Sequence, residues 1–84
     1  ADEVAGHGPP KAEVVKAPMP GVIISLAVAV GDVLLPGAAI AVLEAMKMQN
    51  EVACLHGGVV EEVLIASGQT VEANQVLIKL APNL

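Results

Sequence analysis

From Val22 to Met46 the chain is almost uniformly apolar, with only two charges, Asp32 and Glu44. That length could span a bilayer as one helix. The run is cut, however, at Gly31-Asp32 and Pro36-Gly37, and the pieces between are of strand length and rich in Val and Ile. The pattern therefore predicts strands and turns rather than a membrane span. The same cadence then returns: residues 13 to 44 align without gaps with residues 50 to 81 at an offset of 37. Identities fall at Val15/Val52, Gly21/Gly58, Val22/Val59, Ala29/Ala66, Gly31/Gly68 and Leu43/Leu80, and apolar exchanges at Ile23/Val60, Leu26/Val63, Val28/Ile65 and Ile40/Leu77 keep the frame. Each copy predicts strand, Gly turn, strand, Gly-containing turn, short strand, strand, which gives about eight short strands in all.

Two such halves each expose an apolar face. Packing two small antiparallel sheets face to face buries both, so the predicted class is all-β, a flattened barrel or sandwich of two four-stranded sheets with a pseudo-twofold. Alternation fails at Glu61-Glu62, where one residue must face inward or sit at a bulge. These carboxylates are expected to be a solvated edge that discourages sheet pairing rather than an acid/base pair. Gly31 and Gly68 are expected at turns. Between the repeats lies "AMKMQ", with Lys47 at its centre. If a pseudo-twofold relates the halves, this junction is the hairpin joining them and its tip is exposed. Gly, Pro and Asp are absent from 45 to 49, so the repeat and not turn chemistry predicts the reversal here.

Composition narrows the function. The 84 residues make one domain, 55% hydrophobic and without Phe, Tyr or Trp, so the core is predicted to be Val, Leu, Ile and Ala. A net charge of −5 and the absence of arginine argue against a nucleic-acid partner, which needs clustered cations. The single cysteine, Cys54, cannot close an internal disulfide and is expected to be a small buried hydrophobe; no metal-ligand spacing is present. Residues 1 to 12, "ADEVAGHGPPKA", have no apolar period and are expected to be a linker, in which His7 is given no function. The N-terminus lacks a signal-peptide pattern and begins with Ala, so the chain is expected to be an excised or processed fragment.

For Lys47 the residues alone leave two readings. If 46 to 48 lie on one strand, Met46 and Met48 share a face as core filler and Lys47 is an ordinary solvated lysine. Otherwise the lysine is displayed for chemistry.

"EAMKM", Glu44 to Met48, resembles the attachment motif of biotinyl carrier domains, where the lysine between two methionines carries biotin through an amide. "APMPGVI", "GDVLLPGAAIAVLEAMKMQNEV" and "GVVEEVLIASGQTVEANQVLIKL" extend the resemblance across residues 13 to 81, so that 13 to 82 is taken as the domain. The resemblance implies a barrel-sandwich hybrid with Lys47 on the hairpin between strands four and five. It also implies covalent biotin on Lys47, local recognition by Glu44, Ala45, Met46 and Met48, and no catalytic residue of the domain's own. The implied partners are biotin protein ligase, which supplies an activated biotinyl group, and the biotin carboxylase and carboxyltransferase (or decarboxylase) sites between which carboxyl is carried. Help from a ligase fits the chemistry, because an amine with a pKa of about 10.4 is almost wholly protonated at neutral pH.

The sequence departs from the family pattern where "CLHGG", Cys54 to Gly58, replaces a proline-containing turn; Leu55 takes the proline's place, and His56 is expected to be a turn residue. The short connection from Ile24 to Val33 leaves no room for the protruding thumb of some bacterial carriers. The alternatives are a lipoyl carrier, in which an acidic residue usually precedes the lysine, an unmodified interaction module, and a membrane segment. Compartment follows the parent enzyme, with cytoplasm as the default.

Overall fold

A computed structural model describes residues 12 to 82; the linker expected at 1 to 12, including His7, lies almost wholly outside the described residues. Eight strands follow in order: β1 (Glu13–Lys16), β2 (Gly21–Leu26), β3 (Val33–Leu34), β4 (Ala39–Ala45), β5 (Met48–Ala53), β6 (Gly58–Val63), β7 (Thr70–Val71) and β8 (Val76–Ala81). They form two four-stranded antiparallel sheets, ordered β1-β8-β6-β3 and β5-β4-β2-β7. The offset of 37 carries β2 onto β6 and β3 onto β7 residue for residue, and it carries each sheet order onto the other. The all-β prediction and its pseudo-twofold are both present.

The halves are more entangled than two stacked units, because each sheet takes two strands from each repeat. Turn hydrogen bonds reciprocate across the axis. Gly31 N donates to Val60 O at 2.8 Å while Gly68 N donates to Ile23 O at 2.6 Å, and Ile23 N and Val60 N donate to Gln69 O and Asp32 O, each at 2.8 Å. Within each repeat a side chain makes a matching local bond: Asp32 Oδ2 accepts from Ala29 N at 2.9 Å, and Gln69 Oε1 from Ala66 N at 3.0 Å. Neither repeat could satisfy the four backbone N–H groups that donate across the axis, those of Gly31, Gly68, Ile23 and Val60, alone.

The core is aliphatic, as composition requires. Ile23, Ile40, Leu43, Val60, Val71, Leu77, Ile78 and Leu80 are its largest fully buried side chains. Cys54 belongs to it as a buried hydrophobe, with its thiol donating to Leu35 O at 3.3 Å. The broken alternation at Glu61-Glu62 is a bulge, since the β6–β8 register slips between Val60 and Glu62 and leaves both carboxylates exposed. Its twofold mate is Ile24, skipped between Ile23 and Ser25 in the β2–β4 pairing. The bulge thus belongs to the fold and not to the two glutamates.

Gly21 and Gly58 are required by close approach: a Cβ at Gly21 would fall on the carbonyl oxygen of Glu44, and one at Gly58 on that of Ala81. These acceptors are also twofold mates, and Glu44 lies at the end of the strand that leads into the Lys47 hairpin.

Candidate functional site

β4 and β5 pair in register up to Ala45↔Met48, so the connection is two residues, Met46 and Lys47. Two-residue hairpins favour turns with positive φ at both central positions, because that twist matches the flanking strands. Met46 and Lys47 have φ of 52° and 65°. Neither residue is suited to this region, where a side chain with a Cβ costs about 1–2 kcal/mol. The strands impose the conformation: Glu44↔Gln49 and Leu43↔Asn50 hold the register, Leu43 is fully buried, and Gly21 brings the β2 backbone against the Glu44 carbonyl. Strain of this kind persists only where its surroundings over-determine it.

The tip is open. Met46 is 91% exposed and Met48 64% exposed, and Lys47 is exposed between them. This removes the reading in which both methionines fill the core, because the chain leaves the strand at Ala45 and Met46 lies in the turn. Glu44 is exposed on β4 and paired across the hairpin with Gln49, also exposed. Ala45 differs from its neighbours: it is only 6% exposed, on the same side of β4 as the buried Leu43. Among the described residues an ion pair joins Lys79 Nζ to Glu62 Oε1 at 3.7 Å, and none reaches Lys47. With Lys47 exposed between two exposed methionines, the tip leaves room for a covalent adduct.

The opposite end of β5 is held by a residue with no assigned role in the sequence reading. Glu13, at the start of β1, accepts from Leu55 N at 2.6 Å and His56 N at 2.9 Å, with a longer bond from Gly57 N at 3.1 Å. Desolvation works against the charge of Glu13, but these three N–H donors, helped by His56, hold its carboxyl below the usual carboxylate range. The clamp organises the "CLHGG" turn, where Gly57 and Gly58 have φ of 83° and 136° and no proline fixes the backbone. His56 is a turn residue here, as expected. Glu13 and Leu55 are 42 positions apart, so no local pattern could have announced the clamp. The six-residue strand β5 separates it from the hairpin tip, a distance of about 20 Å at the usual rise.

An internally duplicated two-sheet barrel with a lysine at the tip of the hairpin joining its halves defines a swinging-arm carrier domain. Residues 13–80 match the family model described as biotin-requiring enzyme, and the chain belongs to that family. It is 57% identical over 51 residues to a methylmalonyl-CoA decarboxylase subunit gamma from Veillonella parvula, covering 61% of this chain and 40% of that one. With a biotin carboxyl carrier protein from Streptococcus mutans it shares 43% over 70 residues, 83% of this chain and 54% of that one. Among solved structures, a urea carboxylase from Kluyveromyces lactis superposes with a TM-score of 0.78 at 28% identity, over 89% of this chain and 7% of that one. The chain thus spans about half the length of these curated relatives or less.

These findings make it a biotinyl carrier domain with biotin as its cofactor, and the lipoyl alternative is not favoured. The connection between β2 and β3, 27 to 32, is as short as its mate between β6 and β7, 64 to 69, so no thumb protrudes. Among the described residues no cluster of three His, Cys, Asp or Glu is placed to hold a metal, and no helix is long and apolar enough to cross a membrane.

Proposed function

We propose that Lys47 is the residue that receives biotin, and that this domain carries carboxyl between a biotin carboxylase site and a carboxyltransferase or decarboxylase site of its parent enzyme. The observation that carries this reading is the two-residue turn that holds Lys47 exposed at the tip. Biotin protein ligase is the partner that forms the amide with Lys47 Nζ. When bound, biotin supplies a ureido nitrogen able to carry a carboxyl group; the domain supplies no catalytic group.

What the chain's own residues do is display and restrain. Met46 and Met48 give the ligase an apolar contact on each side of the amine, Glu44 supplies a fixed charge beside it, and Ala45 contributes backbone with its side chain turned inward. Residues 1 to 12 act as the tether, and tethering raises the carrier's concentration near each catalytic site to roughly millimolar. Glu13 sets where that tether ends, at the far end of β5 from the lysine. Nucleic acid and membrane insertion have no part in this function, and the compartment is that of the parent enzyme, the cytoplasm by default.

The test is the intact mass of the chain after co-expression with a biotin ligase, beside the Lys47→Arg variant. One biotinyl increment in the parent and none in the variant is the expected result, because a guanidinium is a poor acyl acceptor. An unmodified parent, with the ligase active on a control substrate, would overturn the assignment.

A further inference from the structure

The fold treats the three methionines of this chain in two ways. Met19, in the turn before β2, is partly buried and packed against the core. Met46 and Met48 stand in solvent on either side of Lys47. The hairpin does not need thioethers, since positive φ at the tip favours Asn, Asp or Gly. Exposed thioethers are open to two-electron oxidation, which turns a flexible apolar side chain into a polar, chiral sulfoxide. Because the two flank the lysine directly, a protein surface that takes in Lys47 must also take in at least one of them.

We propose that Met46 and Met48 are sulfoxidation sites, and that oxidation by a peroxide-class oxidant makes the tip unacceptable to the biotin ligase. The inference rests on the carrier reading of Lys47. In each step a sulfur lone pair attacks a peroxide oxygen, the S–O bond forms as the O–O bond breaks, and the leaving oxygen takes the proton of the transferred hydroxyl, so that hydrogen peroxide is reduced to water (an organic peroxide to its alcohol) while the sulfur is oxidised by two electrons. The Lys47 amine itself is unchanged. What changes is the surface beside it: a sulfoxide oxygen carried into an apolar contact loses its water without gaining a donor. One unpaired polar group of this kind slows uptake of biotin by about tenfold or more.

The experiment treats the unbiotinylated chain with hydrogen peroxide, removes the peroxide with catalase, and then adds ligase, ATP and biotin. Peptide mass mapping locates the added oxygen, and intact mass follows biotin uptake over time. The expected result is oxygen on Met46 and Met48 ahead of Met19, with uptake slowed about tenfold and restored by methionine sulfoxide reductases. Acetylation of Lys47 by an N-hydroxysuccinimide ester, mapped the same way, proceeds equally in both forms. A Met19→Leu variant, a volume-conserving change away from the tip, keeps the untreated rate and the full peroxide sensitivity.

Equal biotin uptake before and after oxidation would overturn the proposal, as would oxidation of Met19 in step with the tip or a rate loss that the reductases do not reverse. If the untreated chain takes no biotin, the carrier reading has failed and this inference falls with it. Normal uptake by the untreated chain and unchanged uptake after oxidation would refute the inference alone.

Discussion

Replacing Glu13 by glutamine takes one negative charge from a carboxylate that three backbone N–H groups address, at 2.6, 2.9 and 3.1 Å. Hydrogen bonds to a charged group contribute roughly 1.5–3 kcal/mol each, so three at full strength would exceed 4 kcal/mol. Two of the three are at exposed positions, where water competes and the charge is screened, and we therefore expect a loss of about 1–2 kcal/mol at pH 7. In a domain of this size that lowers the unfolding midpoint by roughly 5–10 °C, measurable by circular dichroism.

The pH dependence gives a sharper test. Desolvation opposes ionisation of Glu13, but the amides of Leu55, His56 and Gly57 prevail and the folded pKa lies below the reference value of 4.5. As pH falls, the unfolded chain takes up this proton first. The clamp's contribution is therefore complete above about pH 4.5 and is lost as pH falls through the folded pKa. The parent and Glu13→Gln midpoints should differ at pH 7 and converge as pH falls through the lowered folded pKa of Glu13, while biotin uptake at the distant tip stays the same. Equal midpoints at pH 7, or a gap that persists undiminished in acid, would refute the assignment of Glu13 as a charged clamp.

Three further outcomes are expected. Lys47→Arg abolishes biotin incorporation and changes the unfolding free energy by less than about 0.5 kcal/mol, since the residue is exposed; incorporation at another lysine, found by peptide mapping, would count against it. Gly58→Ala puts a Cβ on the Ala81 carbonyl oxygen and should cost about 3 kcal/mol in urea unfolding, whereas Gly31→Ala, with positive φ but open space, should cost about 1 kcal/mol; equal losses would show that close approach is not the constraint. Met46→Gly relieves a positive φ and should raise stability by about 0.5–1 kcal/mol while slowing biotin uptake, and a lower urea midpoint would contradict the strained turn.

The hydrophobic pattern and the offset of 37 were enough to place eight strands, the twofold and the hairpin, because a duplicated sequence exposes the spacing its fold repeats. Three features were hidden for separate physical reasons. The mixing of the repeats within each sheet depends on non-local pairing, which strand periodicity does not encode. The bulge was visible at Glu61, where a charge breaks the alternation, and invisible at its mate Ile24, where an apolar residue restores the appearance of a regular strand. The turn was shorter than the five-residue junction because strand pairing, not turn propensity, closes it; that pairing also turns Ala45 inward.

The duplication itself separates what the fold needs from what the function needs. Wherever the halves agree, in the bulges, the close-approach glycines and the reciprocal turn bonds, a structural account is sufficient. The β4–β5 hairpin is the place where agreement is impossible. Its twofold mate would join the end of β8 to the start of β1, which are the two ends of the described chain and share no turn. Changes at Met46 and Lys47 are therefore free of the twofold, and there the chain accepts two strained residues and two exposed thioethers. At the other end the halves differ again, since Glu13 clamps the turn that in the first half is "PMPG". If residues 1 to 12 are the tether proposed above, the length of β5, about 20 Å, adds to it in carrying Lys47 outward. On that proposal, loosening the clamp would change where the tether ends without touching the tip, and Glu13→Gln and Lys47→Arg should then alter reach and attachment separately.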